Sequence, residues 1–93
     1  MSKIDQLIAE HVFELGKGEP IPAYSEEIGA AWAVVDQICD RGFRLQLEGG
    51  RIWRARFYKS MAHTLETNAF AATSGNAAEA ICKAALTLKG ISF

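Results

Sequence analysis

A chain of 93 residues, 49% hydrophobic and 23% charged, has room for one domain around a single modest core. Ten Lys/Arg against eleven Asp/Glu leave a formal net charge of −1, which excludes a histone-like grip on nucleic acid over the whole surface and equally an acidic tail. No apolar run approaches the ~18 residues of a membrane helix, and Met1-Ser2-Lys3-Ile4-Asp5 puts charge where a signal peptide needs an unbroken apolar stretch. Residues 1–93 are therefore expected to form one domain, kept in the cytoplasm.

In chain order, Ile4, Leu7, Ile8, Val12 and Leu15 recur at the spacing of one helix face, which predicts an amphipathic helix over 4–15 ending near Gly16. Gly16-Lys17-Gly18-Glu19-Pro20-Ile21-Pro22 cannot continue it, because glycine admits left-handed backbone and proline lacks a donor and disfavours helix in the residue before it. An extended connection is expected there. Ser25 followed by Glu26 and Glu27 reads as the start of a second helix: the hydroxyl can accept from a free backbone N–H, and the acids oppose the positive end of the helix dipole. Ile28, Ala31, Trp32, Val35 and Ile38 make its apolar stripe and Gly42 its stop.

The period then changes from 3.6 to 2. Phe43, Leu45 and Leu47 alternate with Arg44, Gln46 and Glu48; beyond Gly49-Gly50, Trp53, Ala55 and Phe57 alternate with Arg54, Arg56 and Tyr58. Opposed residues of an antiparallel ladder share a face. A two-residue Gly49-Gly50 loop would set Leu45 against Arg54 and mix apolar residues with arginines. A three-residue turn, Glu48-Gly49-Gly50, is favoured instead, pairing Leu47 with Arg51, Leu45 with Trp53 and Phe43 with Ala55. Arg44, Arg54 and Arg56 then gather on the opposite face. Residues 59–67 read as a loop and 68–73 as a third strand around Phe70, with alanines that let a helix approach closely. Asn76 with Glu79 three residues on is a capping box, and Ala77, Ala80, Ile81, Ala84, Ala85 and Leu88 follow on one helix face before Gly90. Cys39 and Cys82 have no C-x-x-C spacing and are expected as free, buried thiols.

Three stretches resemble a known family. They are Ile4-Asp5-Gln6-Leu7-Ile8-Ala9-Glu10-His11-Val12, then Pro22-Ala23-Tyr24-Ser25-Glu26-Glu27-Ile28-Gly29-Ala30-Ala31-Trp32-Ala33-Val34-Val35, and Ala77-Ala78-Glu79-Ala80-Ile81-Cys82-Lys83-Ala84-Ala85-Leu86. In order and spacing these are similar to the phage ABA sandwich domain family, small proteins of bacteriophages and prophages. The resemblance implies an α+β fold in which an antiparallel sheet of about three strands is layered between helices, in the order α-α-β-β-β-α. It supplies no reaction and no catalytic residues.

The residues themselves offer no catalytic set. His11 and His63 are isolated, with no metal-ligand spacing around them. Ser60 and Ser74 lack the nucleophile-elbow pattern, no phosphate-loop or dinucleotide fingerprint is present, and Glu26 and Glu27 point in different directions on a helix. No metal and no cofactor is expected, and the chain reads as a non-enzyme.

One cluster stands out. Six of the ten basic residues (Arg41, Arg44, Arg51, Arg54, Arg56 and Lys59) lie between positions 41 and 59 with Glu48 as the lone acid, a local charge of +5; the four other lysines and ten acids make the remainder −6. Arginine forks on a strand face beside an aromatic ring are suited to phosphate and base recognition. Arg44, Arg54, Arg56 and Tyr58 are thus the candidate anion-binding residues, and Trp32 and Trp53 the candidate interface anchors. A competing reading has the arginines paired with Glu10, Glu14, Asp36 or Asp40, across layers or between subunits. The expected function is that of a homo-oligomeric binding or host-modulating module in the bacterial host cytoplasm. A host protein or a small phosphorylated ligand such as a nucleotide is the expected partner, with polynucleotide less favoured; the alternative is a structural phage subunit with no small-molecule ligand.

Overall fold

Alternation in the central segment and helical spacing on either side produce the expected order in the computed structural model, which describes residues 3–16, 18–60 and 67–93. Helix α1 spans Lys3–His11 and α2 Ile28–Cys39; strands β1, β2 and β3 span Arg44–Glu48, Trp53–Ser60 and Thr67–Ser74; α3 spans Ala77–Leu88. The strands form one antiparallel sheet in the order β1-β2-β3. Of the segment expected as a loop over 59–67, Lys59 and Ser60 belong to β2 and Thr67 to β3, while residues 61–66 lie outside the described residues. His63 lies outside the described residues.

The hairpin register corrects the expected one. Leu45 pairs with Phe57, Leu47 with Ala55 and Arg44 with Tyr58, a slide of four residues from the three-residue turn. Residues 49–52 lie outside the strands, and the Trp53 ring covers Gly49 so closely that a Cβ there would overlap it. The longer turn thus seats the tryptophan against bare backbone. Because side chains alternate with a period of two, an even slide leaves every residue on its expected face. Leu45, Leu47, Ala55 and Phe57 point inward, with Phe57 and Ala55 fully buried.

Over this inner face α3 lies across β2 and β3, α2 packs beside α3 and reaches β1, and α1 packs on α3. Ala78, Ala80, Ile81, Cys82, Ala84, Ala85 and Leu86 are therefore all buried, while Ala77 and Leu88 are only half-buried. A helix covered by a sheet on one side and by two helices on the other buries more than one stripe, and its alanines keep those approaches short. The opposite face of the sheet carries exposed Arg44, Gln46, Glu48, Arg54, Ala69, Ala71 and Thr73. Among the described residues the helices thus cover one face of the sheet, and the other lies open.

The ends and faces of the helices differ from expectation in four places. The first helix stops at His11, short of Leu15: Glu14 turns left-handed at φ 54°, and the Leu15 N–H donates back to the Ala9 carbonyl at 2.9 Å. Ser25 does not cap α2. It is buried in a turn ahead of the helix, where its N–H donates to Asp5 Oδ1 at 2.8 Å; Glu27 occupies the cap position with no side-chain bond. The buried stripe of α2 is Ala31, Val34, Val35 and Ile38, and Ile28 and Trp32 lie outside it, 45% and 46% exposed. Apolar residues surround most of this helix, so periodicity alone left its inward direction open. Cys39 is half-buried, whereas Cys82 is fully buried and its thiol is pushed up to about 12 by burial, then by nearby Asp5 and Glu79.

The cap of α3 is half of the expected box. Asn76 Oδ1 accepts from the Glu79 N–H at 2.7 Å, but the Glu79 carboxylate turns away to accept from Lys83 Nζ at 3.0 Å and from the Ser74 hydroxyl at 2.8 Å. Those two bonds, Lys83 first, hold its carboxyl below the usual range. A depressed folded-state pKa contributes stability above the unfolded-state value that disappears as the pH falls through the folded one. Glu79→Gln is accordingly expected to cost about 0.5–1 kcal/mol at neutral pH, the scale of a partly exposed pair. It should also flatten the acid limb of a thermal-melting series against pH; an unchanged acid limb would contradict this role.

Candidate anion-binding site

Strand alternation sets three rows on the open face. Arg44, Tyr58 and Ala69 form one, Gln46, Arg56 and Ala71 the next, and Glu48, Arg54 and Thr73 the last. Within the middle row Arg56 Nη1 donates to Gln46 Oε1 at 3.1 Å, and Gln46 Nε2 donates to Glu48 Oε1 at 3.1 Å. The Arg56 guanidinium also lies 5.1 Å from the centroid of the Tyr58 ring, a cation–π contact that fixes both side chains.

At the Arg44 end the face opens into a cavity of about 320 Å³ lined by Gly42, Arg44, Tyr58 and Lys59. Gly42 ends the turn after α2 at φ 92°, where a side chain would be strained, and the Lys59 ammonium approaches to 3.5 Å of where a Cβ would stand. Lys59 also lies 5.6 Å from the Phe43 ring centroid, and that ring meets Phe70 edge-on at 6.3 Å. Two cations and a phenol thus converge on one cleft, with no carboxylate among the described residues of its lining. At the other end Gln46, Glu48, Arg54 and Arg56 surround a pit of about 10 Å³, with room for no more than a water molecule.

The structure therefore divides the four candidate residues. Arg44 and Tyr58 meet in the cleft, while Arg54 and Arg56 stand one and two rows further along the strand. Lys59 and Gly42 join the cleft unanticipated as site residues: Lys59 falls in the stretch expected as a loop, yet it continues β2, and the turn at Gly42 brings backbone up to its side chain. Trp32 is exposed on α2, whereas Trp53 is half-buried against Gly49 and the core. Among the described residues no ion pair joins Arg44, Arg54 or Arg56 to a helix acid, which removes the cross-layer pairing within one chain. The reason is geometric, since the helices occupy the far side of the sheet.

No competing centre arises elsewhere among the described residues. No group of three His, Cys, Asp or Glu could hold a metal ion, and no helix is long and apolar enough to cross a membrane. His11 is exposed at the end of α1, 3.8 Å from Glu10. A second cavity, about 280 Å³ between α1 and Leu15, Gly16, Gly18, Glu19 and Ile21, is bordered by Glu10 and Glu19, with no cation among the described residues of its lining.

A three-stranded antiparallel sheet backed by helices, with a basic open face, defines a small α+β domain. The chain belongs to the phage ABA sandwich domain family, whose model matches residues 6–86. No curated protein and no solved structure matches it.

Proposed function

We propose that this phage domain works by binding rather than by catalysis, self-associates in the cytoplasm of the bacterial host, and captures a nucleotide or other small anion in the cleft between Arg44, Tyr58 and Lys59. The observation that carries the reading is the convergence of two cations and an aromatic ring on a cavity of about 320 Å³. A phosphate can bridge a guanidinium fork and an ammonium, and a base can stack on the phenol. Among the described residues no acid lines the cleft, which leaves those cations available to a ligand.

The test is titration calorimetry with mono- and dinucleotides, inorganic phosphate and a short single-stranded oligonucleotide, on the wild type and on Arg44→Ala with Lys59→Ala. Each charge-assisted bond contributes about 1.5–3 kcal/mol, so the double substitution is expected to weaken nucleotide binding by about a hundredfold or more. A wild type that binds none of these ligands would sink the anion reading. The structural-subunit reading would then take its place, favoured by the exposed Ile28 and Trp32 of α2.

A further inference from the structure

The exposed stripe of α2 and the open face of β2 match each other in spacing and in charge. Ile28, Trp32, Asp36 and Asp40 follow one another at four-residue intervals, all exposed, and four residues of helix advance about 6 Å. Arg54, Arg56 and Tyr58 follow one another at two-residue intervals along β2, and two residues of strand advance about 6.6–6.8 Å. The steps are commensurate. Laid along the strand, Asp40 meets Arg54, Asp36 meets Arg56 and Trp32 meets Tyr58, with the small Ala69 and Ala71 of β3 beside them leaving room for a helix.

Within one chain these surfaces cannot meet, because α2 packs against the inner side of the sheet. We infer that they meet between chains: the exposed stripe of α2 in one copy docks on the open sheet face of the next, running antiparallel to β2. This rests on the proposed self-association and names the surfaces that carry it. Charge complementarity fixes the occupant as a second copy, since the open sheet face presents Arg54 and Arg56 and the α2 stripe presents Asp36 and Asp40, in a chain whose hairpin is +5 and whose remainder is −6. In this direction the carbonyl end of α2, with Asp40, lies over Arg54, so helix dipole and carboxylate act together. Glu48 already faces Arg54 across β1, which makes Asp36 with Arg56 the principal ion pair. Trp32 packs over Ala69 at the edge of Tyr58, so the next copy borders the cleft in which the phenol meets a ligand. The contact is head-to-tail, so every copy presents one donor face and one acceptor face, and the assembly grows into a ring or a filament.

Mixing two single-face variants tests this directly. Arg56→Glu spoils the sheet face and leaves α2 intact; Trp32→Glu, at an exposed position, spoils α2 and leaves the sheet intact. By native mass spectrometry in about 0.1 M salt, where the screening length is about 10 Å, the wild type is expected to be oligomeric. Each variant alone should be monomeric, its association weakened about tenfold or more. Their equimolar mixture should form a one-to-one heterodimer and nothing larger. Asp36→Arg combined with Arg56→Asp in one chain should recover assembly. An oligomeric wild type whose variants remain oligomeric, or fail to pair on mixing, would overturn this docking mode while leaving self-association standing. A monomeric wild type would overturn both. Nucleotide binding by that monomer would still support the cleft.

Discussion

Phe57→Ala is expected to cost about 3–5 kcal/mol, the range for emptying an aromatic site in a packed core. A domain of this size has about 5–15 kcal/mol in all, so the variant should melt far below the wild type. Phe57 is fully buried at the centre of β2, opposite Leu45 on one side and Phe70 on the other. Its neighbour Tyr58 lies on the open face, touched by Arg56. Tyr58→Ala should therefore shift the denaturant midpoint little while weakening any stacked ligand. Chemical denaturation of the pair reads the alternation of the sheet directly. A Tyr58 variant as unstable as the Phe57 one would mean that the open face is covered.

A second large effect is expected at Asp5. This carboxylate is 3% exposed in the first turn of α1, and its Oδ1 accepts the N–H of Ser25 across twenty residues of chain. It ties the connection before α2 to α1, close to Tyr24, whose ring stacks on Phe13 at 5.1 Å. Burial, with Cys82 and Asp5 nearby, raises the Tyr24 phenol above its ordinary value. Asp5→Ala strips a buried N–H of this acceptor and is expected to cost about 2–3 kcal/mol, the loss of a bond to a charged group. Asp5→Asn keeps an oxygen at that position and should recover part of the loss. Equal melting temperatures for Asp5→Ala and wild type would show that the turn at Ser25 does not depend on this bond.

Asp5 also shows where a linear reading stops. Nothing local to Asp5 points to a distant partner, and Ser25 before Glu26 and Glu27 looks like an ordinary cap. That local pattern was sound on its own terms, but the acceptor that mattered came from a distant segment. The hairpin shows the converse. Its register is four residues away from the expected one because nothing near Gly49 announces that Trp53 will lie across it. The two faces were nevertheless assigned correctly, because parity survives an even slide. The cleft was half legible. Arg44 and Tyr58 stood out by charge and aromaticity; Lys59 entered because β2 continues through it, and Arg54 and Arg56 moved out of it with the strand spacing.

What the amino-acid sequence determined by itself was the order of elements, the separation of apolar from basic strand faces, and the opposition of a +5 hairpin to a −6 remainder. These depend on periodicity and composition, which are local or additive. The tertiary structure alone decided which side of α2 is buried, that the helices back a single face of the sheet, and that Lys59 rather than Arg54 shares the cleft with Arg44. Those depend on which surfaces of an apolar helix are taken up by α3 and β1 and on where the backbone turns. A helix apolar nearly all round carries no preferred inward direction until its neighbours are in place.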